Sequence, residues 1–391
     1  MKNSKYNARG VSSDKEEVEK AVSKLSEETL LTFCRLISLD DNNYLSLHAD
    51  GAGTKSSLAY VYWKISQDIS VWQGIAIDAL VMNTDDLMCV GITDRFYISS
   101  TIGRNKQLIP GEIIEQIIEG NLRFKQLMGK YGIEVILTGG ETADVGDLVR
   151  TIIVDANALG FIPKKDIIST AHIRPGDVVV GFASYGQCEW EDTYNSGIGS
   201  NGLTSARHDV LNKKVGELFP ESYDPAIEAF AYTGKYFLTD PSPIKGITIG
   251  QLLLSPTRTY LPLVKTILKH YRSEIHGMIH CTGGGQFKTL KYLPNLLVIK
   301  DNLLPIPPIF KLIMESGTEP EEMYATFNMG HRLEMYCPES IAHELIKMAQ
   351  DVGIEAQIIG YCQAYSHPAL LLKTPFGEFF KEKKYEHPKQ T

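Results

Sequence analysis

Two glycine-rich acidic segments carry the chemistry open to this chain. The first is His48-Ala49-Asp50-Gly51-Ala52-Gly53-Thr54-Lys55. The second is Gly139-Gly140-Glu141-Thr142-Ala143-Asp144, and Asp85 and Asp86 stand between them. Glycine turns let backbone N–H groups close on phosphate oxygens. Carboxylates beside such turns can hold the Mg²⁺ that bridges those oxygens, and a lysine adds a point charge for phosphate. This is equipment for binding ATP, and the sequence contains no Walker motif. Each piece alone has a duller reading: Asp and Gly are common in turns, and paired aspartates on a helix usually form a solvated face.

The second half adds further glycine positions. Gly197-Ile198-Gly199-Ser200-Asn201-Gly202 matches GxGxxG letter for letter. The dinucleotide reading fails because that fingerprint directly follows a strand, whereas the polar stretch 187–196 intervenes here. Its glycines precede a helix, which suits an anion. Thr282-Gly283-Gly284-Gly285 follows a strand, and three consecutive glycines favour close backbone approach to a ligand. Asn328 interrupts an apolar run, as a satisfied buried amide or a substrate contact. His280 and His331 lie near these glycines and receive no catalytic role.

These residues need elements to position them. Alternation at Leu45 and Leu47 predicts a strand ending at Asp50. Helices are predicted over 55–66 and 111–130, with Leu58, Val61 and Ile65 on one face of the first. A helix over 79–89 carries Asp85 and Asp86. Strands are predicted over 95–100, 135–137 and 151–161, the 135–137 strand running into Gly139. Ser13 or Asp14 caps a helix to about Leu25, and residues 1–13 form an arm. The turn Arg174-Pro175-Gly176-Asp177 precedes an apolar strand over 178–183. The domain boundary is placed near it, giving units 1–172 and 173–391. Later come helices over 204–213, 257–271 and 340–352, with strands over 278–280, 296–300 and 326–336. The last dozen residues read as a solvated tail. The mixture indicates α/β or α+β layers.

The chain has 391 residues, 43% hydrophobic and 22% charged, and a net charge of −8. That balance argues against non-specific nucleic-acid binding, which needs a basic face. Six scattered cysteines suggest neither a zinc site nor a disulfide framework. No apolar run approaches a membrane span, and the polar N-terminus lacks a signal-peptide core. The expectation is a cytoplasmic protein without membrane or nucleic-acid partners.

Taken in order, the segments HADGAGTK (48–55), IDALVMNTDDLMCVG (77–91), GGETAD (139–144), GSNGLTSAR (199–207), LLSPTRTYLP (253–262), GMIHCTGGG (277–285) and EMYATFNMG (322–330) resemble the phosphoribosylformylglycinamidine cyclo-ligase (AIR synthetase) family. The resemblance implies an N-terminal domain whose sheet joins a barrel shared across a homodimer, and a C-terminal layered α/β domain. It implies ATP-dependent ring closure in purine biosynthesis. The γ-phosphate activates the formyl oxygen of formylglycinamidine ribonucleotide, an amidine nitrogen attacks that carbon, and aminoimidazole ribonucleotide, ADP and phosphate leave.

By matching positions, the resemblance places Asp50, Asp86 and Glu141 around magnesium, with Lys55, Asp86 and Glu141 as catalytic residues. The nucleotide would meet Asp50, Gly51, Gly53, Thr54, Lys55, Asp78, Asp85, Gly139, Gly140 and Asp144. Ser200, Asn201, Gly202, Thr282, Gly283, Gly284, Gly285 and Asn328 would face the small-molecule ribonucleotide. Glu141→Ala and Asp86→Ala are expected to abolish turnover and spare the fold. The chain departs from the family in four places, the first being that Leu30 to Tyr44 lacks the usual glycine-rich stretch upstream of the Asp50 loop. Asp85-Asp86 replaces Asn-Asp, Gly199 replaces a histidine before Ser-Asn-Gly, and about ten residues around Gln187 to Tyr194 are inserted. The competing readings are a thiamine-monophosphate kinase or selenophosphate synthetase-like enzyme, and a non-catalytic nucleotide-binding regulator.

Overall fold

The structure, a computed structural model, describes residues 5–11 and 30–383. The first half forms a five-stranded sheet in the order β1-β2-β5-β3-β4. Its strands are β1 (Ile37–Ser38), β2 (Asn43–Gly51), β3 (Arg95–Arg104), β4 (Glu134–Asp144) and β5 (Ile152–Pro163). Helices α1 (Lys55–Ser66), α2 (Val71–Met88) and α3 (Gly111–Lys130) accompany it. Ile113, Ile117, Phe124 and Met128 form the buried stripe of α3, at the spacing an amphipathic helix requires. Helix α2 has no such stripe, because every residue from Asp78 to Met88 is buried. A helix enclosed on all sides loses the periodic signal, which is why the sequence reveals only its second half.

Strand β5 alternates between buried Val154, Ala156 and Ala158 and the more exposed Ile153, Asp155 and Asn157. The first set faces the helices. On the second face Leu47 is 63% exposed, Phe161 42% and Ile153 40%, an apolar surface left open.

The strand predicted over 135–137 does not stop at Gly139. β4 continues through Glu141 to Asp144, paired in parallel with β3 across a register shift between Ile98 and Ser100. Gly139 takes φ 101°, and a Cβ at Gly140 would sit 2.0 Å from the Ser100 carbonyl oxygen. The glycine pair therefore serves a bulged strand rather than a loop.

The second half is a seven-stranded sheet in the order β12-β11-β8-β10-β6-β9-β7. Its strands are β6 (Val178–Ala183), β7 (Gly277–His280), β8 (Leu296–Lys300), β9 (His331–Cys337), β10 (Ala356–Ala364), β11 (Ala369–Thr374) and β12 (Gly377–Glu382). Helices α4 (Leu203–Val210), α5 (Lys213–Leu218), α6 (Ile249–Leu253), α7 (Leu261–Tyr271), α8 (Pro308–Met314), α9 (Pro320–Thr326) and α10 (Glu339–Asp351) complete it. The strand predicted over 326–336 divides. Thr326 ends α9, Asn328 to Gly330 form a turn, and β9 begins at His331.

Two terminal expectations change. Residues 5–11 are docked, since Arg9 is buried and pairs with Asp209 at 2.8 Å. Of the predicted tail, residues up to Glu382 belong to β12, and 384–391 lie outside the described residues. The helix predicted from Ser13 to Leu25 lies outside the described residues. Among the described residues, no helix is long and apolar enough to cross a membrane.

Candidate active site

Asp78, Asp85 and Asp86 stand at i, i+7 and i+8 on α2, one helical face. That face meets the second half of the molecule, and each carboxylate finds a different partner there. Asp78 accepts from Lys55 Nζ at 2.9 Å, and from the Thr257 backbone N–H at 2.7 Å. Lys55 also donates to the carbonyls of Gly199 and Ser255, at 3.1 and 2.6 Å. Its three donors are thereby used on protein acceptors, and its side chain is fully enclosed. Burial pulls the Lys55 pKa down against the opposing charge of Asp78. Lys55, expected on phosphate, is here a pin between the two halves.

Asp85 accepts from Thr259 Oγ1 at 2.7 Å and the Tyr260 N–H at 2.9 Å. Burial raises its pKa to about 7, outweighing those hydrogen bonds. Arg258, in the same segment, is buried and forms a two-pronged pair with Glu191 of the inserted stretch, at 2.9 and 2.5 Å. The insertion also sends Trp190 Nε1 to the Thr259 carbonyl at 3.1 Å, and Asp192 to Arg123 of α3 at 3.0 Å. It straps the two halves together.

Asp86 sits deepest in the chemistry. Its Oδ1 accepts from His280 Nδ1 at 2.6 Å, and its Oδ2 lies 3.3 Å from His48 Nε2. Burial would push the carboxyl up, but Lys288 and the two histidines hold it well below the usual carboxylate range. Burial lowers His280 to about 4 despite Asp86, so the ring is neutral at pH 7. Its Nε2 accepts from Arg332 Nε at 3.0 Å, which assigns the proton to Nδ1. Burial also pulls His48 down, but Asp86 reverses the shift and raises it.

Asp50 lies at the open end of β2, held by Asn83 Nδ2, which reaches its carbonyl at 3.0 Å. Among the described residues its carboxylate accepts only the Gly51 N–H, at 2.7 Å. Desolvation on its inner side by the walls of the mouth and the nearby Asp86 charge raise its pKa. Asp155 of β5 pairs in register with Gly51, and burial and Asp50 raise it as well. The cation at this mouth is Lys288, whose Nζ donates to Thr282 Oγ1 at 2.5 Å and lies over the Phe33 ring. Thr54 Oγ1 meets Thr204 Oγ1 at 2.7 Å, joining the Asp50 loop to α4.

The substrate-side glycine segments also converge. Ser200 Oγ is 3.1 Å from Thr257 Oγ1, and Asn201 Nδ2 lies 3.1 Å from where a Cβ of Gly283 would stand. Gly202 takes φ 76° just before α4. Asn328 is satisfied by protein: its Nδ2 donates to the Gly197 carbonyl, and its Oδ1 accepts from Ser184 Oγ and the Gly330 N–H. Gln286, after the Thr282–Gly285 loop, donates to the Asn328 carbonyl at 2.5 Å and ties loop to turn. A small cavity of about 10 Å³ opens among Gly199, Ser200, Asn201, Thr282 and Arg332. A far larger cavity, about 660 Å³, lies elsewhere, between α2, α3 and the inserted stretch.

Glu141 and its neighbours do not join this cluster. Thr101 pairs with Glu141 on one side and Asp155 on the other, so β3 and β5 separate Glu141 from Gly51 of β2. Gly139 and Gly140 lie with it on β4, and Asp144 pairs with Arg104 at 2.8 Å. The expected magnesium triad of Asp50, Asp86 and Glu141 is therefore not assembled. Among the described residues, no three acidic, histidine or cysteine side chains converge as a metal site.

Sequence reasoning passes over Asp155, Lys288 and Arg332, and it notices His280 without giving it a role. Asp155 leaves a signal, a lone acid in an apolar strand. The other three leave none, because their roles depend on partners distant in the chain, such as Asp86 for His280 and His280 in turn for Arg332.

The sequence matches the family described as AIR synthase related protein, N-terminal domain, over residues 33–162. It matches the C-terminal domain of the same family over residues 174–373. A phosphoribosylformylglycinamidine cyclo-ligase of Carboxydothermus hydrogenoformans is 30% identical over 374 residues, covering 91% of this chain and 95% of that protein. One of Methanocaldococcus jannaschii is 31% identical over 319 residues, covering 81% and 77%. The solved structure "AaThiL complexed with AMPPCP and TMP" shares the fold at a TM-score of 0.54 and 13% identity, covering 91% of this chain and 92% of that one. With matches across both halves and cyclo-ligases as relatives along nearly its full length, the chain belongs to the AIR synthase related family, among the phosphoribosylformylglycinamidine cyclo-ligases.

Proposed function

We propose that this protein closes the imidazole ring of formylglycinamidine ribonucleotide at the expense of ATP, releasing aminoimidazole ribonucleotide, ADP and phosphate. The observation that carries this reading is one cleft mouth where the Asp50 loop, Asp86, Lys288 and the Thr282–Gly285 loop meet. Phosphoryl transfer needs positioning and charge neutralisation more than covalent chemistry from the protein. The cyclisation is intramolecular, so fixing the substrate's geometry lowers its barrier.

The residues divide the work as follows. Lys288 and the amides around Gly51, Gly53 and Thr54 receive the nucleotide phosphates. Ser200, Asn201 and the Thr282–Gly285 loop receive the ribonucleotide. Asp86, ionised between two histidines, sets the local field and orients His280. Lys55, Asp78 and Asp85 act from behind, by fixing the two halves in register.

Magnesium fits at Asp50 with Asp155 beside it. Nucleotide-bound magnesium takes most ligands from phosphate and water, needing only one or two carboxylates. Asp50 is a carboxylate with spare oxygens, and mutual repulsion at this mouth would be relieved by a cation. When bound, the ion would neutralise phosphate charge. Glu141 lies beyond β3 on the open face of the sheet, in line with Asp155. A homodimer would cover the apolar face that exposes Leu47, Ile153 and Phe161, burying surface that is otherwise costly in water. Glu141 would then serve at that covered face.

The test is ADP release by purified protein with Mg²⁺-ATP, with and without formylglycinamidine ribonucleotide, while aminoimidazole ribonucleotide is measured. ADP matched by product supports the cyclo-ligase. ATP binding without product points to another substrate.

A further inference from the structure

Arg332 opens β9 one residue after His331 and is 1% exposed. Its Nε donates to His280 Nε2, and its Nη2 donates to the Arg258 carbonyl. Both acceptors are neutral. Its Nη1 is buried and has no hydrogen-bond partner among the described residues. A buried charged donor left unmatched is costly, so the structure stores an unmet demand for an acceptor.

The small cavity lies against that guanidinium, walled by Gly199, Ser200, Asn201 and Thr282. A Cβ at Gly199 would stand 3.4 Å from Arg332 Nη1. Gly199 is the position where the family resemblance has a histidine. The room that a side chain there would enter borders the guanidinium instead. Gly199 also takes φ 69°, a backbone state that disfavours a side chain.

The neighbouring charges are already committed. Lys55 is paired with Asp78, and Asp85 accepts from Thr259 and Tyr260. Asp86 acts through His280, and the chain Asp86–His280–Arg332 fixes the guanidinium plane. The Tyr260 ring lies beneath it, 5.4 Å from centroid to Cζ.

We propose that Arg332 is a substrate-binding residue, donating from Nη1 to an anionic oxygen of the ribonucleotide at the place the family histidine has vacated. This rests on the cyclo-ligase reading. Two oxygens have the required chemistry: the 5′-phosphate, charged throughout, and the former formyl oxygen, on which charge gathers as the C–O bond breaks and it leaves with phosphate. An arginine fork holds either more tightly than a neutral donor would.

The experiment uses Arg332→Met, which keeps the bulk, and Arg332→Lys, which keeps the charge. Turnover of formylglycinamidine ribonucleotide is measured with calorimetric titrations of ADP and ribose 5-phosphate. Arg332→Met is expected to lose about 10- to 100-fold in kcat/KM, the range of one charge-assisted hydrogen bond. ADP binding stays within about threefold, a change too small to reflect a lost contact, and Arg332→Lys recovers part of the loss. A raised KM with weaker ribose 5-phosphate binding assigns the 5′-phosphate. A lowered kcat with binding unchanged assigns the reacting oxygen.

Wild-type kcat and KM in Arg332→Met would overturn the proposal and leave water as the partner of Nη1. Should that variant fail to fold, Arg332→Lys decides alone: wild-type kinetics and ribose 5-phosphate binding overturn the proposal, and loss in either sustains it. Wild-type protein that binds ribose 5-phosphate without turnover defeats the cyclo-ligase reading only. Arg332 is then judged by whether Arg332→Met loses that binding. Wild-type protein that does neither defeats both.

Discussion

Along α2 the aspartates are enclosed, whereas along the sheet they stand open. Asp78 and Asp85 are fully buried and hydrogen-bonded from the second half of the molecule. Asp50 and Glu141 are exposed, and the nearest partners of their carboxylates are the N–H groups of the residues that follow them. In the sequence Asp50, Asp85 and Glu141 look alike, acids near glycine or in an acidic pair, and Asp78 is a lone acid in an apolar run. Burial separates them: an enclosed carboxylate must spend its lone pairs on protein, while an open one keeps them for a ligand. Asp86 stands at the border, enclosed yet beside the mouth.

This contrast can be broken by substitution. Lys55→Met has the largest expected effect, because it leaves Asp78 buried without its cation. A loss of about 3–5 kcal/mol is expected in urea unfolding. A loss below about 1 kcal/mol, the scale of an exposed pair, would show that the interface does not depend on this pin.

Asp85→Asn sharpens the contrast through pH. Burial raises the Asp85 pKa from 3.8 to about 7. The native state thus holds that proton more tightly than the unfolded chain. Its contribution is full below about pH 4, is lost as pH rises through 7, and stays lost above. Asparagine removes the ionisation, and Thr259 Oγ1 can turn to accept from its amide. The variant should gain up to about 4 kcal/mol over wild type at pH 8, and flatten the slope between pH 4 and 7. Thermal melts across that window would read both, and parallel slopes would refute the assignment.

Glu191→Ala should cost about 2 kcal/mol, since it leaves Arg258 buried without a counter-charge. Its unfolding curve measures how much the inserted strap holds the halves together. Asp50→Asn and Glu141→Ala should both lie within about 0.5 kcal/mol of wild type in stability, while ADP release falls at least about tenfold in Asp50→Asn, the loss of one charge-assisted contact. If either variant unfolds, the open carboxylates are structural and the comparison collapses. Asp86→Ala differs from its sequence-based expectation. It strips both His48 and His280 of a partner, so a stability loss should accompany lost turnover in the same assays.

Much of the fold is legible in the residues alone. The seven ordered segments carry the family, and strong periodicity carries α1 and α3 to their observed ends. Local patterning succeeds where one face of an element is apolar and the other wet. It fails for α2, enclosed on every side, and for β4, where glycines that usually mark a turn serve a bulge.

What the residues of this chain determined by themselves was the menu: acids and glycines for phosphate, a two-part α/β architecture, and a family. Which acid is free, which lysine reaches the mouth and that Arg332 keeps an unpaired Nη1 were decided only by tertiary structure. Those properties are set by contacts between segments distant in the chain, such as His280 with Asp86 and Arg332 with His280, and hydrogen bonds across such separations leave no period in the sequence. Lys55 and Lys288 are the same side chain. One became a pin and the other a cation at the cleft, because burial supplied the first with protein acceptors for all its donors.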